Sequence, residues 1–253
     1  MKTIKTAPLF TVIGFYLLFS LAGGMSWAET STKLHGTYAG LLKNYVSSGW
    51  VDYKGFQTNE AVLDQYLDRL AEVDASTLSS PDRFAFYINA YNAWTIKLIL
   101  SGYPGIKSIK DLGNLYKSPW KKKFVRIDGT ITTLDYIEHD VLRPQFKDPR
   151  VHFAINCAAL SCPPLLSEPY HGGRLDRQLD EAARAFINNP KRNYIKKSKL
   201  YVSKIFKWFK DDFNDDIIGF FNKYAEGDLK KELTAEKKIK LKYLAYDWSL
   251  NGK

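Results

Sequence analysis

Two cysteines and a histidine in one short run are the residues of this sequence most suited to chemistry. Cys157 and Cys162 are the chain's two cysteines, and His152 and Asn156 precede them closely. A thiolate activated by a neighbouring histidine is a nucleophile for hydrolysis or group transfer. The same pair could instead form a disulfide, which an oxidising compartment favours; because the loop between them is short, it would restrict the unfolded chain only modestly. Cys-x4-Cys is not a usual zinc spacing, and buried cysteines are often inert, so the residue types leave these interpretations open.

The backbone before the cysteines decides which side chains can meet. Residues 151–155 form a short apolar run, which we predict to be a buried strand. Side chains alternate along a strand, so His152 and Asn156 would share one face and Cys157 would lie on the other. His152 could then reach Cys157 only through a bend at Asn156. Otherwise Cys157 would be a small core residue.

A second group of candidate residues lies in a predicted short helix that Thr133 caps and that ends near Leu142. Glu138 falls on the apolar stripe of this helix, so its carboxylate is either buried against a partner or at the edge of a cleft. His139 follows Asp135 by four residues, which favours the charged imidazole. In a thiol mechanism, His139 or His152 would be the base and Glu138 the orienting group. The alternative is a solvated His–Asp pair and a Glu138 that is paired with an arginine.

Polar side chains elsewhere could complete a site. Asn89 and Asn92 lie on one side of a predicted helix, and together with Asn156 they could donate to an oxyanion or a ligand. Buried amides more often hold loops in place. Trp208 and Asp212 belong to an aromatic and acidic cluster that could line a sugar or peptide groove, or form the edge of a core.

The elements that must position these residues indicate an α+β fold. Ser80, Pro81 and Asp82 form a helix start, and the following residues to Leu100 are apolar on nearly every face, so this helix should be central and buried. Hairpins are predicted around Asp128-Gly129 and Ser198-Lys199. We expect the central helix to pack with other helices against a mainly antiparallel sheet built from hairpins. The other predicted helices span 32–48, 59–73, 175–187, 215–224 and 228–237, and a closing strand spans 239–246.

Residues 1–28 have the three parts of a cleavable signal peptide: Lys2 and Lys5, an apolar run, and small residues before a cut after Ala28. We therefore expect an exported protein, periplasmic or secreted, without a stable membrane anchor after cleavage. Residues 29–253 should form a single globular domain.

The composition excludes few classes of function. The chain carries 37 Lys and Arg against 27 Asp and Glu, a net charge of +10, but no nucleic-acid-binding motif accompanies that charge. We expect no nucleic-acid partner, no metal site and no cofactor, and we expect a small-molecule, peptide or glycan ligand. Metal-assisted chemistry through His139, His152 and Glu138 is a third alternative.

These motifs resemble the domain of unknown function 547 family over about residues 80–250. The matching segments are AFYINAYNA (85–93), the run 137–143, DPRVHFAINC (148–157), SCPPL (161–165), WFKDDF (208–213) and YDWSL (246–250). The family has no settled activity. Relatives in which the domain is joined to thiol-redox modules favour thiol chemistry. Papain-like folds carry their nucleophilic cysteine at the start of the central helix, whereas that helix here carries Asn89 and Asn92.

Two hypotheses follow. In the first, the protein is an exported hydrolase or transferase of thiol type with Cys157 as its nucleophile. In the second, it is a non-catalytic envelope or ligand-binding domain stapled by a Cys157–Cys162 disulfide.

Overall fold

The computed structural model describes residues 27–114, 116–235 and 238–253. The predicted signal peptide lies almost entirely outside the described residues. The longer helical elements are α1 (Trp27–Tyr45), α2 (Tyr53–Thr58), α3 (Glu60–Glu72), α4 (Ser80–Leu100), α5 (Leu134–Tyr136), a π-helical segment (Ile137–Leu142), α6 (Arg143–Phe146), α7 (Val151–Ala154), α8 (Leu175–Ile187), α9 (Ile205–Trp208), α10 (Ile217–Tyr224) and α11 (Gly227–Ala235). Short 3-10 turns span Ala75–Thr77, Ile109–Leu112, Pro119–Lys121, Gly172–Arg174 and Lys210–Phe213. In the described part of the chain, no helix is long and apolar enough to span a bilayer.

Helix α4 is the central helix that the sequence predicts. Sixteen of its 21 residues are buried, because apolar side chains cover every face. The cap is Ser79 and not Ser80: the Ser79 hydroxyl accepts the backbone N–H of Asp82, and Pro81 occupies the first turn. Helices α2 and α3, the π-helical segment and α8 pack around it.

The strands form three small sheets. Strands β1 (Val46–Ser47) and β2 (Trp50–Val51) pair antiparallel, as do β3 (Val125–Ile127) and β4 (Thr130–Thr132). Strands β5 (Tyr194–Lys196) and β6 (Lys199–Val202) form the second predicted hairpin, and β7 (Lys240–Tyr243) pairs parallel with β6. The α+β class is confirmed.

The first hairpin turns at Asp128-Gly129, as predicted, and both residues have the positive φ that such a turn requires. The second turns one residue earlier than predicted, at Lys197 and Ser198. The predicted helix 32–48 corresponds to α1, which begins and ends earlier in the chain. The predicted helix 59–73 corresponds to α3, which is one residue shorter at each end, and the structure adds α2 between them. The predicted helix 175–187 has the bounds of α8.

The prediction of a strand at 151–155 is wrong, because Val151–Ala154 is a helical turn. Asp148 starts it: its side chain accepts the Arg150 N–H, and its carbonyl accepts the Val151 N–H. A short apolar run fits a buried helical turn as well as a buried strand, and the preceding Asp-Pro sequence favours a turn. The alternating faces that we assigned to His152, Asn156 and Cys157 therefore do not exist.

The core has two parts, and α7 lies between them. Val151 and Ala154 pack into the larger part around α4. Phe153 packs into the smaller part, with Phe186 of α8 and Phe206 of α9. The chain then becomes extended at Ile155 and enters the segment that carries both cysteines.

Candidate functional site

A cleft brings together six of the predicted site residues. It lies where α4, the π-helical segment, α7 and α9 meet two loops. Its lining includes, among the predicted residues, Glu138, His139, His152, Cys157, Cys162 and Trp208. Four other predicted residues do not line it: Asn89, Asn92, Asn156 and Asp212. Six of the ten candidate residues therefore line the same cleft.

The floor of the cleft is the cysteine loop, residues 156–162. Both cysteines are free thiols in the structure; Cys162 is buried and Cys157 half-buried. The Cys157 backbone N–H donates to the Cys162 sulfur at 2.7 Å, and the Cys162 N–H donates to the Ala159 carbonyl. The turn needs Ala158 at φ +58°, a left-handed conformation that costs a residue with a Cβ some strain. The disulfide of the second hypothesis stays a prediction.

The two thiols differ in acidity. Burial raises the pKa of Cys157 well above its ordinary value, and a hydrogen bond to the Cys162 side chain adds to the rise. Burial also raises the pKa of Cys162, but hydrogen bonds from the Cys157 side chain and backbone outweigh it and lower that pKa. The Tyr246 hydroxyl lies 3.1 Å from the Cys157 sulfur. Such a pair loses its first proton as a unit, and the negative charge then rests mainly on Cys162.

Asp212 does not line the cleft, but its carboxylate holds His152 and Arg143 in place. Its carboxylate accepts two hydrogen bonds from Arg143, at 2.6 and 3.0 Å, and lies 2.7 Å from Nε2 of His152. Partial burial raises the pKa of Asp212, but the bonds to His152 and Arg143 outweigh it, so the pKa lies well below its usual range. The His152 ring also stacks on Phe209 with centroids 4.0 Å apart. His152 is therefore held in one orientation by an ionised carboxylate and an aromatic face.

His139 has a different partner from the one that the sequence indicated. Its Nε2 lies 4.0 Å from Asp135, too far for a hydrogen bond, whereas Arg143 lies 2.8 Å from its Nδ1. Arginine can only donate, so Nδ1 is the acceptor of this contact. The hydrogen bond from Arg143 takes the place of the pairing with Asp135 that we predicted.

Glu138 lies both in the core and at the edge of the cleft. It is 8% exposed, and the Tyr91 hydroxyl donates to its Oε2 at 3.0 Å. The Trp120 indole N–H donates in turn to the Tyr91 oxygen. Among the described residues no Lys, Arg or His lies within ion-pairing distance of Glu138, so the predicted arginine partner is not found there. The π-helical backbone that carries Glu138 and His139 is a local distortion frequent at functional sites.

The three asparagines hold backbone segments in place. Asn89 exchanges two hydrogen bonds with the backbone of Tyr170. Asn92 accepts from the Asn156 N–H and donates to the Ala154 carbonyl, at 2.8 and 2.9 Å. Asn156 donates to the Pro163 carbonyl and accepts from the Ala158 N–H. These hydrogen bonds join the amides to backbone groups. The asparagines therefore hold loops in place, which is the alternative to a role as donors to an oxyanion.

An aromatic wall of Trp120, Trp208, Tyr246 and Trp248 faces the cysteine loop. Ring centroids lie 4.7 Å apart for Trp208 and Tyr246, 4.6 Å for Tyr246 and Trp248, and 5.8 Å for Trp120 and Trp248. Trp208 is 43% exposed, which is high for so large an apolar side chain. Sequence reasoning singled out Trp208 but not Tyr91 or Trp120. For Tyr246 and Trp248, the signal in the sequence was the YDWSL segment (246–250).

The end of the chain brings the aromatic wall to the cysteines. The Leu160 N–H donates to the Ser249 carbonyl, and the Asn251 N–H donates to the Ala158 carbonyl. The Asp247 N–H donates to the Ser161 hydroxyl at 2.8 Å. The site is thus assembled from segments nearly a hundred residues apart. Within the described ranges, no three or more His, Cys, Asp or Glu side chains are grouped to hold a metal ion.

Comparison with known proteins agrees with the resemblance seen in the sequence. Residues 75–187 match the family described as "Protein of unknown function, DUF547". This match includes both cysteines, Glu138, His139 and His152, and it ends before Trp208 and Asp212. Neither a curated protein nor a solved structure matches the chain. The match over residues 75–187 supports the resemblance of the chain to the DUF547 family.

Proposed function

We propose that the cleft is the active site of a thiol-dependent hydrolase or transferase. The observation that supports it most is the pair of free thiols in a cleft that also holds a histidine fixed by an ionised carboxylate. A thiolate, a base and a group that orients the base are the parts that covalent thiol catalysis needs.

The two thiols have separate roles in this proposal. Cys162 holds the thiolate, because the Cys157 N–H donates to its sulfur and stabilises negative charge there. Cys157 keeps its proton and remains hydrogen-bonded to its neighbour and to Tyr246. This assignment differs from the expectation that Cys157 is the nucleophile. Its reason is the Cys157 N–H that donates to the Cys162 sulfur, in agreement with a pKa that is lowered at Cys162 and raised at Cys157.

His152 is the proposed proton carrier. Asp212 accepts at Nε2, so the proton of the neutral ring rests there and Nδ1 keeps its lone pair. That nitrogen can take the proton given up by Cys162 and pass it to the first leaving group as the substrate's acyl group bonds to the sulfur. It can then take a proton from the attacking water or amine and return it to the Cys162 sulfur as that bond breaks. Water as the acceptor gives hydrolysis, and an amine or hydroxyl gives transfer. Arg143 orients Asp212 and also contacts His139.

The test is covalent labelling of the native protein with iodoacetamide, followed by peptide mass mapping. We expect one adduct, on Cys162. The Cys162→Ser variant should lose it, and Cys157→Ser should keep a slower one. His139→Gln serves as a neighbouring control that leaves both thiols in place. Labelling of Cys157 alone would reverse the roles of the thiols, and no labelling of either would contradict the thiol mechanism.

Export is part of the same proposal. The signal-like residues 1–28 would deliver the domain to the periplasm or outside the cell, where envelope peptides and glycans are within reach. Expression of the full chain in a Gram-negative host, with N-terminal sequencing of the fractionated protein, tests this. Glu29 as the first residue supports the proposal, and an intact Met1 in the cytosolic fraction contradicts it.

The alternative is a non-catalytic ligand-binding domain with a Cys157–Cys162 disulfide. The hydrogen bond between the two side chains favours it, since neighbouring thiols can be oxidised to a disulfide without large backbone movement. In that case the protein purified from the periplasm has a mass about 2 Da lower than the reduced chain. Its melting temperature should also fall on reduction.

A further inference from the structure

The charge of the cleft is opposite to that of the chain. The protein carries 37 Lys and Arg against 27 Asp and Glu. Yet the described side chains that line the cleft include the carboxylates of Asp135 and Glu138 and no Lys or Arg. In a basic protein, such a lining concentrates negative potential where a ligand would lie.

Glu138 is the main source of that potential. It is 8% exposed, and one neutral donor, the Tyr91 hydroxyl, reaches its Oε2. Among the hydrogen bonds of the described residues, none reaches Oε1. A carboxylate removed from water without an opposite charge is costly, so a cation in the cleft would be favoured there.

The two arginine side chains near the cleft already have hydrogen-bond partners. Arg143 is hydrogen-bonded to Asp212 and His139, and its charge acts on Glu138 only at longer range. Arg192 donates to the Leu160 carbonyl. Neither guanidinium lines the cleft.

The aromatic wall supplies the second half of a cation site. The Lys110 ammonium lies 3.9 Å from the centroid of the Trp248 ring, so this ring already holds one ammonium by a cation–π contact. Trp208 is 43% exposed, and among the described residues no Lys or Arg lies over its ring. Trp208 lines the same cleft as Glu138.

We propose that the cleft recognises its ligand through a positively charged ammonium group, held between the Trp208 face and the Glu138 and Asp135 carboxylates. As a statement on substrates this rests on the proposed thiol function. As a statement on binding it does not need the thiols. Primary amines of peptides and quaternary ammonium headgroups share this chemistry.

The test compares three probes of similar size by calorimetry and by tryptophan fluorescence: choline, ethanolamine, and 3,3-dimethylbutan-1-ol, the uncharged isostere of choline. We expect at least one cation to bind about tenfold more tightly than the isostere. A tighter choline identifies a quaternary headgroup and a tighter ethanolamine a primary amine. Binding of both cations no tighter than that of the isostere, or no binding by either cation, overturns the proposal.

Variants separate this inference from the thiol proposal. Glu138→Gln and, independently, Asp135→Asn should each reduce the preference for the cation at least about threefold. Glu72→Gln, an exposed change of the same charge on α3, should leave it unchanged. A Cys157→Ser, Cys162→Ser double variant should still bind the cation. In the wild-type protein, absence of thiol labelling with retained cation binding removes the proposed function alone, and labelling of Cys162 without a preference for the cation removes this inference alone.

Discussion

The connection between the central helix and the cysteine loop predicts a large effect for Asn92→Ala. Asn92 is 3% exposed, accepts the Asn156 N–H at 2.8 Å and donates to the Ala154 carbonyl at 2.9 Å. Alanine leaves both backbone groups buried without partners, at about 1–3 kcal/mol each. We expect the free energy of unfolding to fall by about 3 kcal/mol.

Urea denaturation measures this change directly, as a lower midpoint with an unchanged slope. Asn222→Ala, on an exposed face of α10, is the matched control and should change stability by less than about 0.5 kcal/mol. The loosened loop should also react faster with iodoacetamide. A loss below about 1 kcal/mol for Asn92→Ala would refute the argument that this amide holds the loop.

Four further results follow from the structure. Burial, with a smaller contribution from His171, lowers the pKa of His35 to about 3, so stability is full above pH 6.5 and falls by about 2 kcal/mol between pH 7 and pH 5; urea titrations of His35→Gln should lack this loss. Asp212→Asn should weaken iodoacetamide labelling, since His152 loses its ionised partner, and equal labelling rates would contradict this role. Tyr246→Phe should move the pH profile of labelling upward, because the Tyr246 hydroxyl helps to lower the pKa of Cys162. Trp208→Ala should abolish the preference for choline while changing stability by less than about 1 kcal/mol, as thermal unfolding can check.

The local signals in the sequence predicted the scaffold well. Serine and proline at the start of α4 set its first turn, and the Asp128-Gly129 dipeptide set the first hairpin. These features succeed because their physical causes lie within a few residues. Burial of most of α4 also followed from its composition alone.

The parts that could not be predicted depend on distant partners. A run of five apolar residues does not distinguish a helical turn from a strand, so the position of His152 relative to Cys157 was wrong. His152, the proposed base, contacts Asp212, sixty residues later, and Cys157 contacts Tyr246. His139 contacts Arg143 and not Asp135, because a π-helical segment changes which side chains are neighbours.

The most direct test of the central claim is the pH dependence of the rate at which iodoacetamide alkylates the native protein. An activated thiol gives a rate that reaches half of its plateau below the ordinary cysteine value of about 8.5. We predict such a profile for the wild-type chain, with the adduct on Cys162, and its disappearance in Cys162→Ser. A half-point at or above the ordinary value, or a native protein that reacts only after unfolding, would contradict the assignment of the cleft as a thiol active site.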